Sequence, residues 1–417
     1  MAPFLTFLRS NAHWLAAGAM LTFLSSFGQT YFIAIFGGVL REEFGLSNGQ
    51  WGGLYTLATT ASAGVMIWAG TLTDRFRVRT LGVAVLVCLA LAALAMGAVR
   101  SVAMLGVVIF ALRLFGQGMT SHIAIVAMAR WFVATRGRAL AIAGLGIALG
   151  EMVLPVGFVA LMAAGLPWRV LWVVSAGILV AALPVLLLLL RRERTPQSLA
   201  GDNPAPGMGG RHWARAEMLR HGLFWAAVPA LLGPPAFSTA LFFHQVHLAE
   251  AKGWAHLGFV ALFPLFTAGT MVGMATSGWA VDRFGTGRVL RVYLLPFAAA
   301  FAVMWMAGSL ALAGLAMFLV GIGGGANNNA VSAFWAEFYG TRHLGAIKSA
   351  AAAVTVFGSA VGPGVTGALI DRGLPFAGQM LPIAGYFVAA LGLFAVALAR
   401  AGRALPPRPA QVDVTRA

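Results

Sequence analysis

The sequence predicts an all-α membrane protein, with twelve transmembrane helices in two pseudo-symmetric six-helix bundles. Three observations carry that prediction. Of the 417 residues, 60% are hydrophobic and only 10% charged, with mean hydropathy +0.86, whereas a soluble domain carries about 25% charged residues. Apolar runs long enough to cross a hydrocarbon core of ~30 Å as a helix, roughly 20 residues each, recur along the whole chain. Finally, residues in three pairs of these runs repeat at one fixed spacing. Barrel strands would alternate over segments of about ten residues, which the unbroken Leu/Ala/Val/Gly runs do not.

In chain order the predicted spans are 14–40, 49–73, 80–99, 102–128, 138–163, 168–190, 222–249, 255–280, 289–308, 309–333, 345–370 and 375–399. The first follows Arg9 and is longer than the roughly 7 to 15 apolar residues of a signal peptide, so it reads as an uncleaved helix. The single cysteine, Cys88, falls inside the third span, which leaves no disulfide or cysteine metal cluster. A stretch rich in Arg, Pro and Gly separates six spans from six. The expected organisation is therefore an N-terminal bundle at 1–190, a cytoplasmic linker at 191–221 and a C-terminal bundle at 222–400. A tail at 401–417, containing LPPRPAQ, is expected to be a disordered cytoplasmic segment.

The net charge of +16 invites a nucleic-acid reading, but the placement of the basic residues argues against one. With an even number of spans both termini share a side. That side holds 22 of the 28 Lys and Arg residues. The other side holds five, Arg41, Arg100, Arg169, Lys252 and Arg372, and Arg113 lies within a span. By the positive-inside rule both termini are expected in the cytoplasm, most naturally of a bacterial inner membrane. The basic balance is a topology signal with some attraction to anionic lipid headgroups.

TDRF at 73–76 is answered by VDRF at 281–284. Asp74 and Asp282, Gly116 and Gly324, Gly150 and Gly358, and Pro155 and Pro363 are each 208 residues apart. Tyr55, Thr59, Ser62 and Met66 share one face of the second span, and Phe263, Thr267, Thr270 and Met274 follow at the same offset. Because each half has six spans, the repeats enter the membrane in the same direction, related by an axis along its normal.

These residues carry a family resemblance. GTLTDRFRVR (70–79) resembles the loop between helices 2 and 3 of the major facilitator superfamily, and GWAVDRFGTGR (278–288) its echo between helices 8 and 9. RLFGQG (113–118) is similar to the family's fourth-helix motif. ARWFVATRGRALAIAGLG (129–146) resembles the monocarboxylate and oxalate/formate transporter branches. Departures are Arg77 for the loop glycine, Val78 for the following arginine and Ala280 for the leucine of the second copy. The resemblance implies a secondary transporter working by alternating access. It also implies that Asp74, Arg75, Arg130, Arg136 and Arg138 in the first half, with Asp282, Arg283 and Arg342 in the second, form the cytoplasmic gate.

The polar residues inside spans are the candidate binding residues. Arg113 lies ~16 Å deep at 1.5 Å per residue, where an unpaired charge costs at least ~2.5 to 3.5 kcal/mol. Glu151, at matching depth on the next helix, is its expected partner. Three roles stay open: a structural one, in which Arg113 bonds Glu151 or a backbone carbonyl and fixes helix packing, a proton-coupling pair centred on Glu151, or a direct clamp of Arg113 on a substrate carboxylate. On a uniform α-helix, Gln117 and Thr120 fall within about 40° of Arg113, while His122 points about 180° away. In the tenth span Asn327, Asn328 and Asn329 stand at the positions of Met119, Thr120 and Ser121, with Gly321 at that of Arg113. Adjacent amides cannot share a face, so one is expected at the cavity and another against backbone. Gly323, Gly324 and Gly325 are read as allowing close packing or a bend.

In the first span Ser25, Gln29, Phe32 and Phe36 are expected on one face; Tyr55 and Thr59 join the candidate set from the second. Pro234 and Pro235 are expected to break the seventh helix. Lys348 either snorkels to headgroups or, as the resemblance to the oxalate and monocarboxylate branches implies, contributes to anion binding. His244 and His247 lack the carboxylate or cysteine company of a metal site. Lysine occurs only at 252 and 348, so no phosphate-binding GxxxxGK[ST] loop exists. No HExxH and no Ser/His/Asp set argues for an enzyme. The expected function is transport of a small, monocarboxylate-like organic anion, coupled to a proton or to a counter-substrate, by a monomer in the lipid bilayer with no cofactor. Proton-driven efflux of amphipathic drugs is the alternative, suggested by GSAVGPGVTG (358–367) and GLGIALGEMVLPVG (144–157), which resemble the antiporter glycine-proline motif. A non-transporting membrane sensor is the reading from another class.

Overall fold

The computed structural model describes residues 2–132, 135–191 and 206–405, and these form helices joined by short turns. Most of the predicted linker (192–205) and tail (406–417) lies outside the described residues. Among the described residues, nine helices are long and apolar enough to cross a membrane by themselves. The other three of the twelve depart for identifiable reasons. The first span is a pair, Thr6–Gly28 and Thr30–Phe44, bent by 45°. The second, Asn48–Ala69, is 22 residues long but carries Gln, Thr, Ser and Gly along its length. The ninth, Leu295–Met306, is short because turns precede it from Leu290.

Glycines set the spacing within each half. Thr22 donates its hydroxyl to the Ala143 carbonyl at 2.5 Å, and a side chain at Gly146 or Gly150 would overlap the Ala19 carbonyl or the Ser26 hydroxyl. Helices 1 and 5 therefore pack backbone to backbone, the small-residue contact expected where lipid offers no hydrophobic drive. Gly358 and Gly362 do the same for helices 11 and 7, against Leu232 and Ala236. The glycine motifs in helices 5 and 11 are thus packing seams.

The seventh helix runs unbroken from Gly222 to Phe243 through Pro229, Pro234 and Pro235, contrary to the sequence expectation. Pro234 cannot donate to the Ala230 carbonyl, and the Tyr293 hydroxyl donates there instead, at 2.9 Å. Borrowed donors of this kind keep proline-containing membrane helices intact. The sharp break falls in the first helix. A 3-10 turn at Ser25–Gly28 leads to Gln29 in extended conformation, φ −82 and ψ 152, before helix resumes at Thr30.

In the fourth helix, Val102–Trp131, residues Arg113–Thr120 are wound as a π-helix. A π-helix turns by roughly 80° per residue against about 100° for an α-helix, so the faces read from the sequence slip. Gln117 stays beside Arg113. Thr120 lags by about 140°, is fully buried, and donates to the Phe115 carbonyl five residues back at 2.6 Å. The same slip brings His122 to about 40° from Arg113, onto the wall of the cavity that Arg113 and Gln117 line.

The halves meet on the side away from the termini. The Ser47 hydroxyl and Gly49 N–H donate to the Asp371 carboxylate at 2.6 and 2.8 Å. Thr56 donates to the Ala360 carbonyl at 2.6 Å. Gly52 and Gly367 bring helices 2 and 11 into backbone contact at Pro363 and Asn48. Beneath this lies an aromatic layer: Trp51 stacks on Phe243 at 5.3 Å, Tyr55 lies 4.7 Å from the same ring, and Tyr31 meets Phe242 edge-on.

Two outcomes test this architecture. Gly146→Ala should lower stability by about 1–3 kcal/mol through overpacking, while Gly144→Ala, which meets open space, should stay within about 1 kcal/mol of the parent; thermal unfolding of the purified protein reads both. In a Cys88→Ser background, a cysteine at position 122 should react with a water-soluble maleimide at least about tenfold faster than one at position 120, as the π-helix requires. The opposite order would restore a uniform α-helix.

Candidate functional site

The break in the first helix builds the seat for Arg113. At Gln29 the ladder restarts, with Phe32 and Ile33 N–H both donating to the Gln29 carbonyl, so the Gly28 carbonyl is released from helical bonding. Arg113 Nη1 donates to it at 3.1 Å and lies 3.3 Å from the Thr30 hydroxyl. Thr30 in turn shares a 2.5 Å hydrogen bond with the Tyr55 hydroxyl, and the guanidinium sits 5.3 Å from the Tyr55 ring centroid. This approach needs glycine on both helices. A side chain at Gly28 would overlap the Leu112 carbonyl, and one at Gly116 would fall 2.6 Å from the Gly28 Cα.

Arg113 is 2% exposed, and it makes no ion pair with Glu151 among the described residues. The pairing expected from equal depth fails because Gly28 and Thr30 take the guanidinium while Glu151 faces the other half. Thr267 of helix 8 donates to the Glu151 carboxylate at 3.2 Å. Glu151 thus bridges the halves.

A cavity of about 280 Å³ opens between helices 2, 4 and 11, lined by Thr59, Ser62, Met66, Arg113, Gln117, Gly118, Ser121, His122 and Ser359 among others. The Arg113 Nε and Thr59 hydroxyl are buried without a hydrogen-bond partner. Among the described residues the wall therefore offers a cation, hydroxyls, an amide and an imidazole, with no carboxylate.

The remaining candidates divide. Ser25 is buried and donates to the Thr22 carbonyl at 2.6 Å, and Phe32 packs against Phe158 and Trp172 inside the first half; the kink at Gln29 destroys the common face read from the sequence. Gln29 is half-buried without a side-chain hydrogen bond among the described residues. Asn328 is exposed, Asn329 donates to the Met274 carbonyl at 2.7 Å, and the Asn327 side-chain oxygen is buried and unpartnered. Lys348 donates to Ser332 of helix 10 at 2.7 Å, so it is held within the second half. At the position of Arg113, Gly321 lies in backbone contact with helix 8 at Phe266, leaving no room for a side chain. Gly323 packs on the Phe297 ring and Gly325 on helix 8, while Gly324 meets open space.

On the terminal side, Arg75, Arg138, Asp282, Arg283 and Arg342 are exposed, and Arg130 donates to the Thr73 carbonyl at 2.8 Å. The side chains of Asp74 and Arg136 lie outside the described ones. His244 is spent inside its own half, on the Pro363 carbonyl and Thr366 hydroxyl. Sequence reasoning missed Gly28, Thr30, Ser47 and Asp371. The segments holding Ser47 and Asp371 read in sequence as the ends of the predicted spans 49–73 and 345–370, with no inter-half contact assigned to them.

Comparison with known proteins accords with this arrangement. A bacterial homologue of the human lysosomal transporter Spinster, solved inward-facing and unoccupied, superposes with TM-score 0.75 at 16% identity, covering 96% of this chain and 99% of that one. The nucleoside transporter NupG superposes with TM-score 0.70 at 14% identity, covering 92% of this chain and 98% of that one. No curated protein sequence matches the chain. The model of the Major Facilitator Superfamily matches residues 18–363 and 247–416. Twelve helices in two repeated bundles around a polar cavity, together with that match, place this multi-pass membrane protein in the Major Facilitator Superfamily of transporters.

Proposed function

We propose that the protein is a secondary transporter for a small organic anion of the monocarboxylate class, moved with a proton or by exchange. The observation that carries this is Arg113: a cation at mid-depth, buried on a cavity wall whose described residues include no acid. Such a charge is costly in a membrane interior, and an anionic cargo would relieve that cost through charge-assisted hydrogen bonds. A volume of about 280 Å³ suits a small anion better than an amphipathic drug. With the termini assigned to the cytoplasm of a bacterial inner membrane by the basic-residue bias, the cavity is in its inward-open form, bundles 1–190 and 222–400 rock about it, and the exposed gate residues pair when the inner side shuts.

Glu151 is the proposed coupling group. It is the acid at mid-depth, and its hydrogen bond to Thr267 crosses between the halves, so adding or removing a proton there changes an inter-half contact. Coupling of this kind requires that one ligand bind the two states differently.

Counterflow in proteoliposomes across a panel of small mono- and dicarboxylates and cationic dyes tests the class. Flux of at least one anion is expected, and flux of dyes alone would overturn the assignment. Arg113→Lys should raise the half-saturating anion concentration about tenfold, because a point charge replaces a planar fork, with expression maintained; an unchanged value removes Arg113 from the site. Glu151→Gln should abolish accumulation driven by a pH gradient while sparing exchange. Equal loss of both, with a lowered melting temperature, would make Glu151 a structural bridge.

A further inference from the structure

A second pocket, of about 630 Å³, lies far from the central cavity, where the described end of the linker docks against helices 7 and 12 on the terminal side. Its position is fixed by the fold. The Trp213 N–H donates to the Tyr339 carbonyl at 3.2 Å, its indole N–H donates to the Met208 carbonyl at 3.1 Å, and the Gly207 N–H donates to the Arg211 carbonyl at 2.8 Å.

Charge and apolar surface meet in this pocket. Arg211 lies 4.8 Å from the Trp213 ring and pairs with Glu217 at 2.8 Å, which compensates part of its charge. Arg400, exposed at the end of helix 12, has no acidic partner among the described residues. The His221 Nδ1 is buried without a partner, and burial lowers the affinity of that ring for a proton. Deeper along helix 12, Leu393 and Val396 are 52% and 53% exposed on the same pocket wall. Trp225 stands 61% exposed near the start of helix 7, the place of an interfacial aromatic anchor.

We propose that this pocket binds an anionic phospholipid of the leaflet on the terminal side, its phosphate held between Arg400, Arg211 and His221 and its acyl chains laid along Leu393 and Val396. A basic pocket between membrane helices at the headgroup level is suited to such lipids. The apolar wall that continues into the bilayer distinguishes this occupant from a soluble phosphate, which has nothing to lay there. The bound lipid would clamp the end of the linker to the second half, and so bears on how freely the halves rock.

Native mass spectrometry of the full chain, released from detergent micelles containing phosphatidylglycerol and phosphatidylcholine, tests this. One phosphatidylglycerol should be retained in preference to phosphatidylcholine. Arg400→Gln should lower that retention about fivefold, the worth of one basic residue at a membrane surface, while Arg403→Gln, of equal charge change outside the pocket, should leave it within about twofold. Leu393→Trp should lower retention with every charge intact, and so reads the same site if Arg400→Gln folds poorly. Equal retention of the two lipids, equal effects at 400 and 403, or displacement by millimolar inorganic phosphate would overturn the proposal, the last by making the site one for a soluble anion.

Discussion

The contact between Arg113 and the Gly28 carbonyl is the constraint from which the first half of the molecule is arranged. A membrane interior leaves no water to satisfy either group, so an embedded guanidinium needs acceptors and an interrupted helix needs donors. Each supplies the other here. The first helix breaks at Gln29 and releases a carbonyl; the fourth delivers the guanidinium at that depth; the Thr30 and Tyr55 hydroxyls complete the set. The backbones can approach because Gly28 and Gly116 carry no side chain. Tyr55 also touches Phe243 of the other half, so the seat of the charge is joined to the layer that closes the cavity on the far side.

This constraint explains which parts of the molecule were legible in the sequence. Apolar run length and the 208-residue spacing depend only on residue identity, and the twelve helices and the doubled design followed from them. Relative level was legible too: rise per residue puts Arg113 and Glu151 alongside each other, and the first helix meets their neighbours Gly116 and Gly150 at Gly28 and Ser26. Azimuth was not. A helical wheel assumes constant winding, and the π-turns at Arg113–Thr120 and the kink at Gln29 both violate it. Thr120 and Ser25 consequently left the cavity wall and His122 joined it. The error has one physical origin, a backbone locally rewound around a buried charge.

Partner choice was only half legible for a related reason. Equal depth made Glu151 one natural mate of Arg113 and a backbone carbonyl the other, but which carbonyl is released leaves no trace in sequence, because any residue can supply one. Glu151 was left for Thr267 of the opposite half. The two embedded charges are therefore separate elements, one seated within a bundle and one bridging between bundles.

The second half shows what the fold does without the charge. Gly321 occupies the position of Arg113 and meets helix 8 backbone directly, with Gly325 one turn on doing the same at Thr270. Helices 8 and 10 thus close upon each other where helices 2 and 4 leave a cavity. The polar part of the closure on the far side is light by comparison: the carboxylate of Asp371, itself exposed, accepts from Ser47 and Gly49 at the start of helix 2. A carboxylate at a helix N-terminus contributes about 0.3–1 kcal/mol when exposed. Above the buried layer of Trp51, Tyr55 and Phe243, a polar latch of that size adds little to the closure, which suits a carrier whose two states must lie within a few kcal/mol for cargo to shift them. A stronger buried pair at the same place would hold the cavity open to one side, and the charge at Arg113 would then have access to a single compartment.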